Sequence, residues 1–401
     1  MHYSKTLSLL AVYSVFTSVV AAGLGRSRSQ FKTFFPTVEQ YAKSRFHANC
    51  SDQFTDYWNE SKPDPGRGHK YSNDLLDCIL EEYGEVNKAN MAVTGILLAL
   101  LPAGLVQFGP GLAEISLLST RRPILATLLG FGLLSPSPTE FDFENILNKA
   151  GNGGEPLLPM TTLNGNKTHF LAKLLVSSFE YGIAMAAVAN YFYHLFRFTY
   201  HAIPLAPLVV YIPGIPETAT LFGWGFLNLP IFLLAFVVSA KTVGPVISRS
   251  ENDNKRNPLA KFIIAELTPC GQGPKLKEIR TSDRPRTLPR LLGPAVRLVA
   301  GLHIITDTVL IGSIVLIPLG NSLPVIYAFI FAAICTRAIL SYELNGLALR
   351  AKREAAKENK KQTDSPGRDN TRCEAGGLKS QEYTSLSQVD SSVKLTSDRL
   401  G

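Results

Sequence analysis

Long apolar runs separated by polar stretches are the dominant pattern of this sequence. Five runs have the composition of membrane-spanning helices, and these are Met91 to Gly109, Leu171 to Leu195, Thr218 to Ala240, Ile304 to Leu319 and Pro324 to Leu340. Two further runs, Pro123 to Leu134 and Ile203 to Pro213, have only 12 and 11 residues, a length typical of re-entrant, interfacial or buried pieces. We predict an all-α multi-pass bundle over residues 91–343 with five spans, or seven if both short runs also cross.

The N-terminal apolar run has the layout of a secretory signal peptide. Lys5 precedes Leu7 to Val20, and Val20-Ala21-Ala22 supplies small residues for cleavage. A run of about fourteen residues is short for a span, so we predict a cleaved signal peptide at 1–22, with an uncleaved signal anchor as the alternative. Either outcome directs the chain into the secretory pathway, and cleavage leaves residues 23–90 in the lumen.

Residues 23–90 carry the features of a small lumenal segment. Asn49-Cys50-Ser51 and Asn59-Glu60-Ser61 are glycosylation sequons. Cys50 and Cys78 are the only cysteines here, and an oxidising lumen favours a disulfide between them, with two buried free thiols as the alternative. The loop of about 29 residues would contribute about 3 to 4 kcal/mol of stability. Apolar spacing predicts a helix from Tyr71 to Val86, so we expect a disulfide-stapled cap over the bundle.

Charge supports the membrane interpretation and argues against nucleic-acid binding. Only 18% of the residues are charged, below the roughly 25% usual for proteins in general. The excess behind the net charge of +8 lies beside apolar runs, since Lys241 to Arg290 has 11 basic and 5 acidic residues and Asn345 to Gly401 has 11 and 8. This distribution follows the positive-inside rule, and we find no basic and aromatic nucleic-acid-binding module. Both segments are therefore predicted to be cytoplasmic.

The two span counts differ in where they place residues 139–169. Seven spans put this acidic stretch, with a third sequon at Asn166, in the lumen and Arg197 in the cytoplasm, so charge favours seven. Segment length favours five. We predict five full spans and two partial ones.

Glu180 is an ionisable residue within the second apolar run. Ser178, Gly182 and Ala186 surround it at a spacing of four, which predicts close helix packing. Ionisable residues inside a membrane mark functional sites, so one interpretation of Glu180 is a proton or cation site. The other, which we adopt, is a carboxyl group that is hydrogen-bonded to a neighbouring helix.

Three more polar residues form a second candidate site in the bundle. His303 and Asp307 are one helical turn apart, and Arg337 lies on the next span at a depth that predicts pairing with Asp307. Because a buried pair costs far less than an isolated buried charge, the structural interpretation is an ion pair that holds the helix hairpin together. The functional interpretation is a transport relay.

The cytoplasmic segments carry dispersed basic side chains. Residues 275–290 and 350–361 are candidates for contact with anionic lipid, at about 1 kcal/mol for each basic side chain near the surface; solvated charge with no specific partner is the alternative. Glu343 to Lys361 is predicted to be a helix that leaves the membrane, so 344–401 divides into a basic juxtamembrane helix and a disordered tail poor in apolar residues.

Sequence signatures of common enzymes are missing from the chain. It contains no HExxH, GxSxG, Walker A, dinucleotide GxGxxG or paired CxxC motif, and its seven histidines lack metal-ligand spacing. We therefore predict no catalytic, cofactor-binding or metal site and no cofactor. The predicted function is non-enzymatic membrane organisation, sensing or interaction, and the alternative is a transporter or channel that uses Glu180, Asp307 and Arg337.

The stretch from Asp77 to Leu125 joins a cysteine, a first span and a polar turn. Cys78 precedes a span of the form LLxLLPxxLxxxGP, and an E-x-SLLSxRRP-like turn follows with Glu114, Arg121 and Arg122, for which we predict pairing of Glu114 with one of the arginines. This combination resembles a family of uncharacterised multi-pass membrane proteins from filamentous fungi. The resemblance implies a fungal origin and a membrane-embedded helical fold, and it implies no activity.

Overall fold

The computed structural model describes residues 30–59, 70–152, 168–209, 217–242, 258–269 and 287–363. Several predictions from the sequence fall outside this part of the chain: the signal peptide at 1–22, the sequon at Asn166, the basic side chains of 275–286 and 350–361, and the tail beyond 363.

Helices make up almost all of the described chain. In chain order the elements are α1 (Pro36–Tyr41), a π-helical turn (Ala42–Phe46), α2 (His47–Asn49), α3 (Ser51–Asn59), α4 (Lys70–Glu82), α5 (Glu85–Phe108), α6 (Leu112–Ser119), α7 (Pro123–Phe131), α8 (Phe143–Asn152), α9 (Thr168–Tyr200), β1 (Ile203–Pro204), α10 (Leu205–Val209), α11 (Ala219–Phe226), α12 (Asn228–Thr242), α13 (Pro258–Leu267), α14 (Thr287–Gly312), β2 (Ile314–Val315) and α15 (Leu319–Thr363). The predicted all-α class is confirmed.

Five stretches of helix are long and apolar enough to cross a membrane within the described residues. They are Glu85–Phe108, Leu171–Tyr200, Ala219–Thr242, Leu291–Gly312 and Leu319–Leu349. The two shorter apolar runs do not form long helices. The first contains α7, whose nine residues extend about 13 Å, less than half of a hydrocarbon core; the second begins with β1 and the five residues of α10.

The fourth predicted span, Ile304 to Leu319, is displaced from the helix in the structure. The helix α14 ends at Gly312 and begins at Thr287. Ile314 and Val315 form β2, which pairs antiparallel with β1, and Ile314 to Ile317 are mostly buried apolar residues outside any helix. The apolar run therefore joins the end of a helix to a buried connection, whereas Arg297 and Pro294 obscure the real start of the helix in the sequence.

The N-terminal cap, residues 30–59 with α4, has its own apolar core. Aromatic and aliphatic side chains from α1, α3 and α4 are buried together, among them Phe35, Phe46, Tyr57, Leu75 and Ile79. A disulfide joins Cys50 to Cys78, with Cα atoms 6.0 Å apart, and the predicted helix in this segment is α4. The predicted disulfide is confirmed.

The cap is hydrogen-bonded to one end of the long helices. Gln30 Nε2 donates to Thr199 O at 3.2 Å, Thr33 Oγ1 donates to Tyr200 O at 2.6 Å, and Tyr57 OH donates to Glu217 Oε2 at 2.6 Å. The end of α9 and the start of α11 therefore lie at the cap. Because α5 follows the cap directly and β1 pairs with β2, the five long helices alternate in direction along the chain.

Between α5 and α8 the chain forms a short helical hairpin inside the bundle, which we call the inner hairpin (residues 111–137). Gly130 lies against the ring of Phe232 in α12, and Gly132 lies against Ala187 in α9. After α7 the chain returns, and Leu112 N donates to Ser137 O at 2.9 Å. The inner hairpin thus enters the bundle and leaves it on the same side of its tip.

Candidate functional site

A buried arginine connects four separate elements at the end of the bundle that is far from the cap. Arg122 is fully buried, and its guanidinium donates from Nη1 to Glu180 Oε2 at 2.5 Å and to Glu343 Oε1 at 2.8 Å. Nη2 donates to Ser177 Oγ at 2.7 Å, and Nε donates to the carbonyl oxygen of Glu266 at 2.9 Å. These bonds link the start of α7 to α9, α13 and α15. We call this group the Arg122 cluster.

The depth of the cluster follows from helix geometry. Glu180 precedes the cap end of α9 at Tyr200 by 20 residues, and Glu343 follows the start of α15 at Leu319 by 24 residues. At about 1.5 Å per residue both carboxylates lie about 30 Å or more from the cap end. The cluster therefore belongs to the opposite end of the bundle, where the chain also carries its basic segments.

Glu266 completes the cluster by capping α7. Pro123 occupies the first turn of α7 and has no N–H, and the backbone N–H of Ile124 donates to Glu266 Oε1. Burial raises the pKa of Glu266, and the hydrogen bond from Ile124 and the charge of Arg122 oppose that rise. A short helix that begins inside the protein thus receives its cap from a distant element.

A second polar group lies nearer the cap, around Asp307. Its Oδ1 accepts from Trp224 Nε1 at 2.6 Å, and its Oδ2 accepts from Ser135 Oγ and lies 3.2 Å from His303 Nδ1. The His303 and Trp224 rings are stacked, with centroids 4.6 Å apart. Beside Asp307 and Tyr191 lies a cavity of about 20 Å³, which has room for about one water molecule.

Arg337 lies in a third group, at the base of the inner hairpin. Its Nη1 donates to Glu114 Oε2, and the same oxygen accepts from the backbone N–H of Gly111 at 2.7 Å. Glu114 therefore caps α6 and pairs with α15 at once. Both side chains line an open polar pocket of about 410 Å³.

Two pairings predicted from the sequence are wrong. Arg337 pairs with Glu114 and not with Asp307, because α14 ends at Gly312 and Asp307 is close to the cap, whereas Arg337 follows the start of α15 by 18 residues, or about 27 Å. Glu114 does not pair with Arg122, because the helix α6 separates them and Arg122 binds Glu180 and Glu343.

The remaining predicted residues occupy the following positions. Glu180 is hydrogen-bonded to the element that carries Arg122, and Arg121 is buried beside it. Asn49 and Asn59 are exposed on the cap.

Sequence reasoning missed Glu266, Glu343, Ser177 and Trp224. Glu266 and Glu343 lie in segments whose sequence is polar, so that neither stands out as an isolated charge in an apolar run. The relevant signal was the Arg121-Arg122 pair directly before an apolar run and a proline, since a buried arginine requires carboxylates from elsewhere.

The chemistry of these sites is that of buried ion pairs and hydrogen bonds. No group of three or more His, Cys, Asp and Glu side chains with the geometry of a metal site occurs in the described ranges. Comparison with the profiles of known protein families, with curated proteins and with solved structures finds no match to this chain.

Proposed function

We propose that this chain is a non-enzymatic integral membrane protein of the secretory pathway or plasma membrane that acts by interaction or sensing. In the proposed topology the cap is lumenal, five helices cross the membrane, and the chain after α15 is cytoplasmic. The alternating direction of the five long helices and the basic residues of 241–290 and 345–401 support this arrangement. Membership of the fungal family belongs to the same proposal and rests on Cys78, Leu97 to Pro110 and Glu114 to Pro123.

One observation carries the choice of a non-transport function. The three charges that a transporter would use have partners inside the bundle: Glu180 with Arg122, Asp307 with Trp224 and Ser135, and Arg337 with Glu114. The cavity beside Asp307 is the size of about one water molecule. These groups are suited to holding helices together, and we assign contact functions to the cap and to the cytoplasmic tail.

Exposed asparagines support the lumenal placement of the cap. Asn49 and Asn59 both lie on its surface, within reach of a glycosylation enzyme. Treatment with an endoglycosidase is expected to increase the mobility of the full chain on a gel. Asn49→Gln and Asn59→Gln should each remove one step of that shift, and an unshifted wild-type chain would contradict a lumenal cap.

Truncation separates the two function classes. A chain that ends at Lys361 lacks the tail, and Asp307→Asn keeps the shape of the side chain while removing its charge. We expect proximity labelling in cells to lose its specific neighbours in the truncated chain and to keep them in Asp307→Asn. The alternative, a transporter, is favoured by the excess of carboxylates over guanidinium groups around Arg122; it predicts a folded Asp307→Asn chain that loses its phenotype and a truncated chain that keeps it.

A further inference from the structure

An apolar groove runs between α9 and α15 on the outer face of the bundle. Its volume is about 450 Å³, which lies within the range of small-molecule sites. The walls are almost entirely hydrocarbon and aromatic, with contributions from Leu175, Phe179, Ile183, Ala338, Ile339 and Tyr342. In the proposed topology this groove opens to the lipid near the cytoplasmic face.

A single charged side chain lines this groove. Glu180 is 3% exposed, and its Oε2 binds Arg122, whereas its Oε1 has no hydrogen-bond partner within the part of the chain that the structure describes. A buried carboxylate oxygen without a donor is costly. The groove therefore combines an apolar wall with one buried acceptor, and it suits an apolar molecule that carries one donor.

We propose that the groove binds a membrane sterol whose hydroxyl group donates to Glu180 Oε1. This inference rests on the proposed membrane embedding and deepens the sensing function by naming a ligand. A sterol is a rigid hydrocarbon with a single hydroxyl, and it matches a wall of branched aliphatic side chains with one acceptor. Rigid ligands also lose little conformational entropy on binding.

Charge decides against the other lipids of the same membrane. Glu180 and Glu343 lie together on one guanidinium, so that a phosphate group at Glu180 Oε1 would meet carboxylate charge and supply no proton to donate. The acyl chain of a phospholipid could lie against the wall but would leave Oε1 without a donor. An uncharged alcohol satisfies both conditions.

Competition photolabelling of the purified full chain tests this proposal. The probe is a sterol with a diazirine on its ring system, presented with the chain in nanodiscs of phosphatidylcholine. Ala338→Phe fills the groove from α15, since Ala338 is exposed on its wall. The matched control is Ala103→Phe, because Ala103 is an exposed alanine of α5 outside the groove. Unlabelled sterol and its 3-ketone, which lacks the donor, serve as competitors.

The expected result is labelling of α9 and α15 peptides that unlabelled sterol competes away, that Ala338→Phe abolishes and that Ala103→Phe keeps. The ketone should compete roughly tenfold less well or worse, as expected for the loss of one hydrogen bond to a charged group. Labelling that survives Ala338→Phe, equal competition by the ketone or by added phospholipid, or a cross-link between two copies of the chain would overturn the proposal. Topology mapping is independent of these outcomes, so failure here is distinguishable from failure of the membrane assignment.

Discussion

Arg122 has more polar partners in the bundle than its position in the sequence suggests. It stands directly before a proline and an apolar helix, and it binds two carboxylates, a hydroxyl and a backbone carbonyl. Arginine fits this role because its planar guanidinium presents five donors at fixed angles and remains charged when buried. The cluster is thus a structural centre, and its loss would leave two buried carboxylates with no cation.

Arg122→Met is expected to destabilise the chain by about 3 to 5 kcal/mol, because removing one partner of a buried ion pair leaves the other charge uncompensated. The control is Arg297→Gln, which removes an exposed pair with Glu140, in which the side chains are 41% and 75% exposed. That change should cost less than about 1 kcal/mol. Unfolding of the purified chains in detergent by denaturant measures both, and equal effects would contradict a structural role for the cluster.

Glu266 gives the stability a dependence on pH. Burial raises its pKa above the ordinary value near 4.5, so the folded chain binds the proton more tightly than the unfolded chain. This contribution to stability is fully present below pH 4.5 and is lost as the pH rises through the folded pKa. Stability measured by denaturant from pH 4 upwards should show this fall.

Glu266→Gln should flatten that part of the profile, because glutamine does not titrate over this range. The variant retains a side-chain oxygen that accepts from Ile124 N. A profile with an unchanged slope in Glu266→Gln would assign the pH dependence to another group.

Among the helices, the inner hairpin depends on close approach to its neighbours. A Cβ atom on Gly132 would lie 2.8 Å from the Cβ of Ala187 and 3.1 Å from its carbonyl carbon. Backbone of α9 therefore occupies the space that a side chain at this position needs, and the tip of the hairpin requires glycine.

Gly132→Ala should destabilise the chain by about 1 to 3 kcal/mol, as overpacking of a filled interior does. Gly182→Ala is the matched change, since a Cβ there meets nothing within 4 Å and alanine is the better helix former by about 1 kcal/mol. Thermal unfolding of the two variants should shift in opposite directions or leave Gly182→Ala unchanged. A harmless Gly132→Ala would contradict the packing of the hairpin against α9.

The disulfide connects α4 to the rest of the cap. Cys50→Ser is expected to lower the stability of the cap by about 3 to 4 kcal/mol, because the cross-link closes a loop with a sequence separation of 28. Limited proteolysis of the cap measures this, with Cys335→Ser as the control that keeps the disulfide. The two variants should differ strongly without reductant and converge when reductant is added to the control.

Sequence patterns predicted those elements that depend on their own composition. The first, second, third and fifth apolar runs coincide with helices, and the spacing of Leu75, Leu76, Ile79 and Leu80 predicted α4. The end of α14 was not predictable from apolarity, because Ile314 and Ile317 are buried by tertiary packing and are as apolar as a helix in a membrane. Hydropathy reports burial, and it does not distinguish a buried connection from a span.

In the whole bundle, ion-pair partners were not predictable from the sequence. Asp307 and Arg337 were placed at one depth by run length alone, and an error of several residues in one helix end moved them apart by a large part of the membrane. Glu180 was correctly placed against a neighbouring element, but the identity of Arg122 as its partner depends on the inner hairpin, which has no periodic signature in nine residues. Depth and direction decide such pairs, and both require the folded chain.

Five crossings with the inner hairpin turning back make a definite claim about residues 139–167. Because α5 leads away from the cap and α9 leads back towards it, this stretch belongs on the side opposite the cap, together with the segment that follows α12. A seven-span topology places the same stretch on the cap side. The accessibility of one residue therefore distinguishes them.

That measurement is cysteine labelling at Gly153, in a full chain in which Cys270, Cys335 and Cys373 are replaced by serine and the cap disulfide is kept. Pro216→Cys and Lys275→Cys serve as reporters for the cap side and the opposite side. With a membrane-impermeant maleimide, Gly153→Cys is expected to react together with Lys275→Cys from the cytoplasmic side and to be protected when Pro216→Cys reacts. Labelling of Gly153→Cys together with Pro216→Cys from the lumenal side would contradict the five-span bundle.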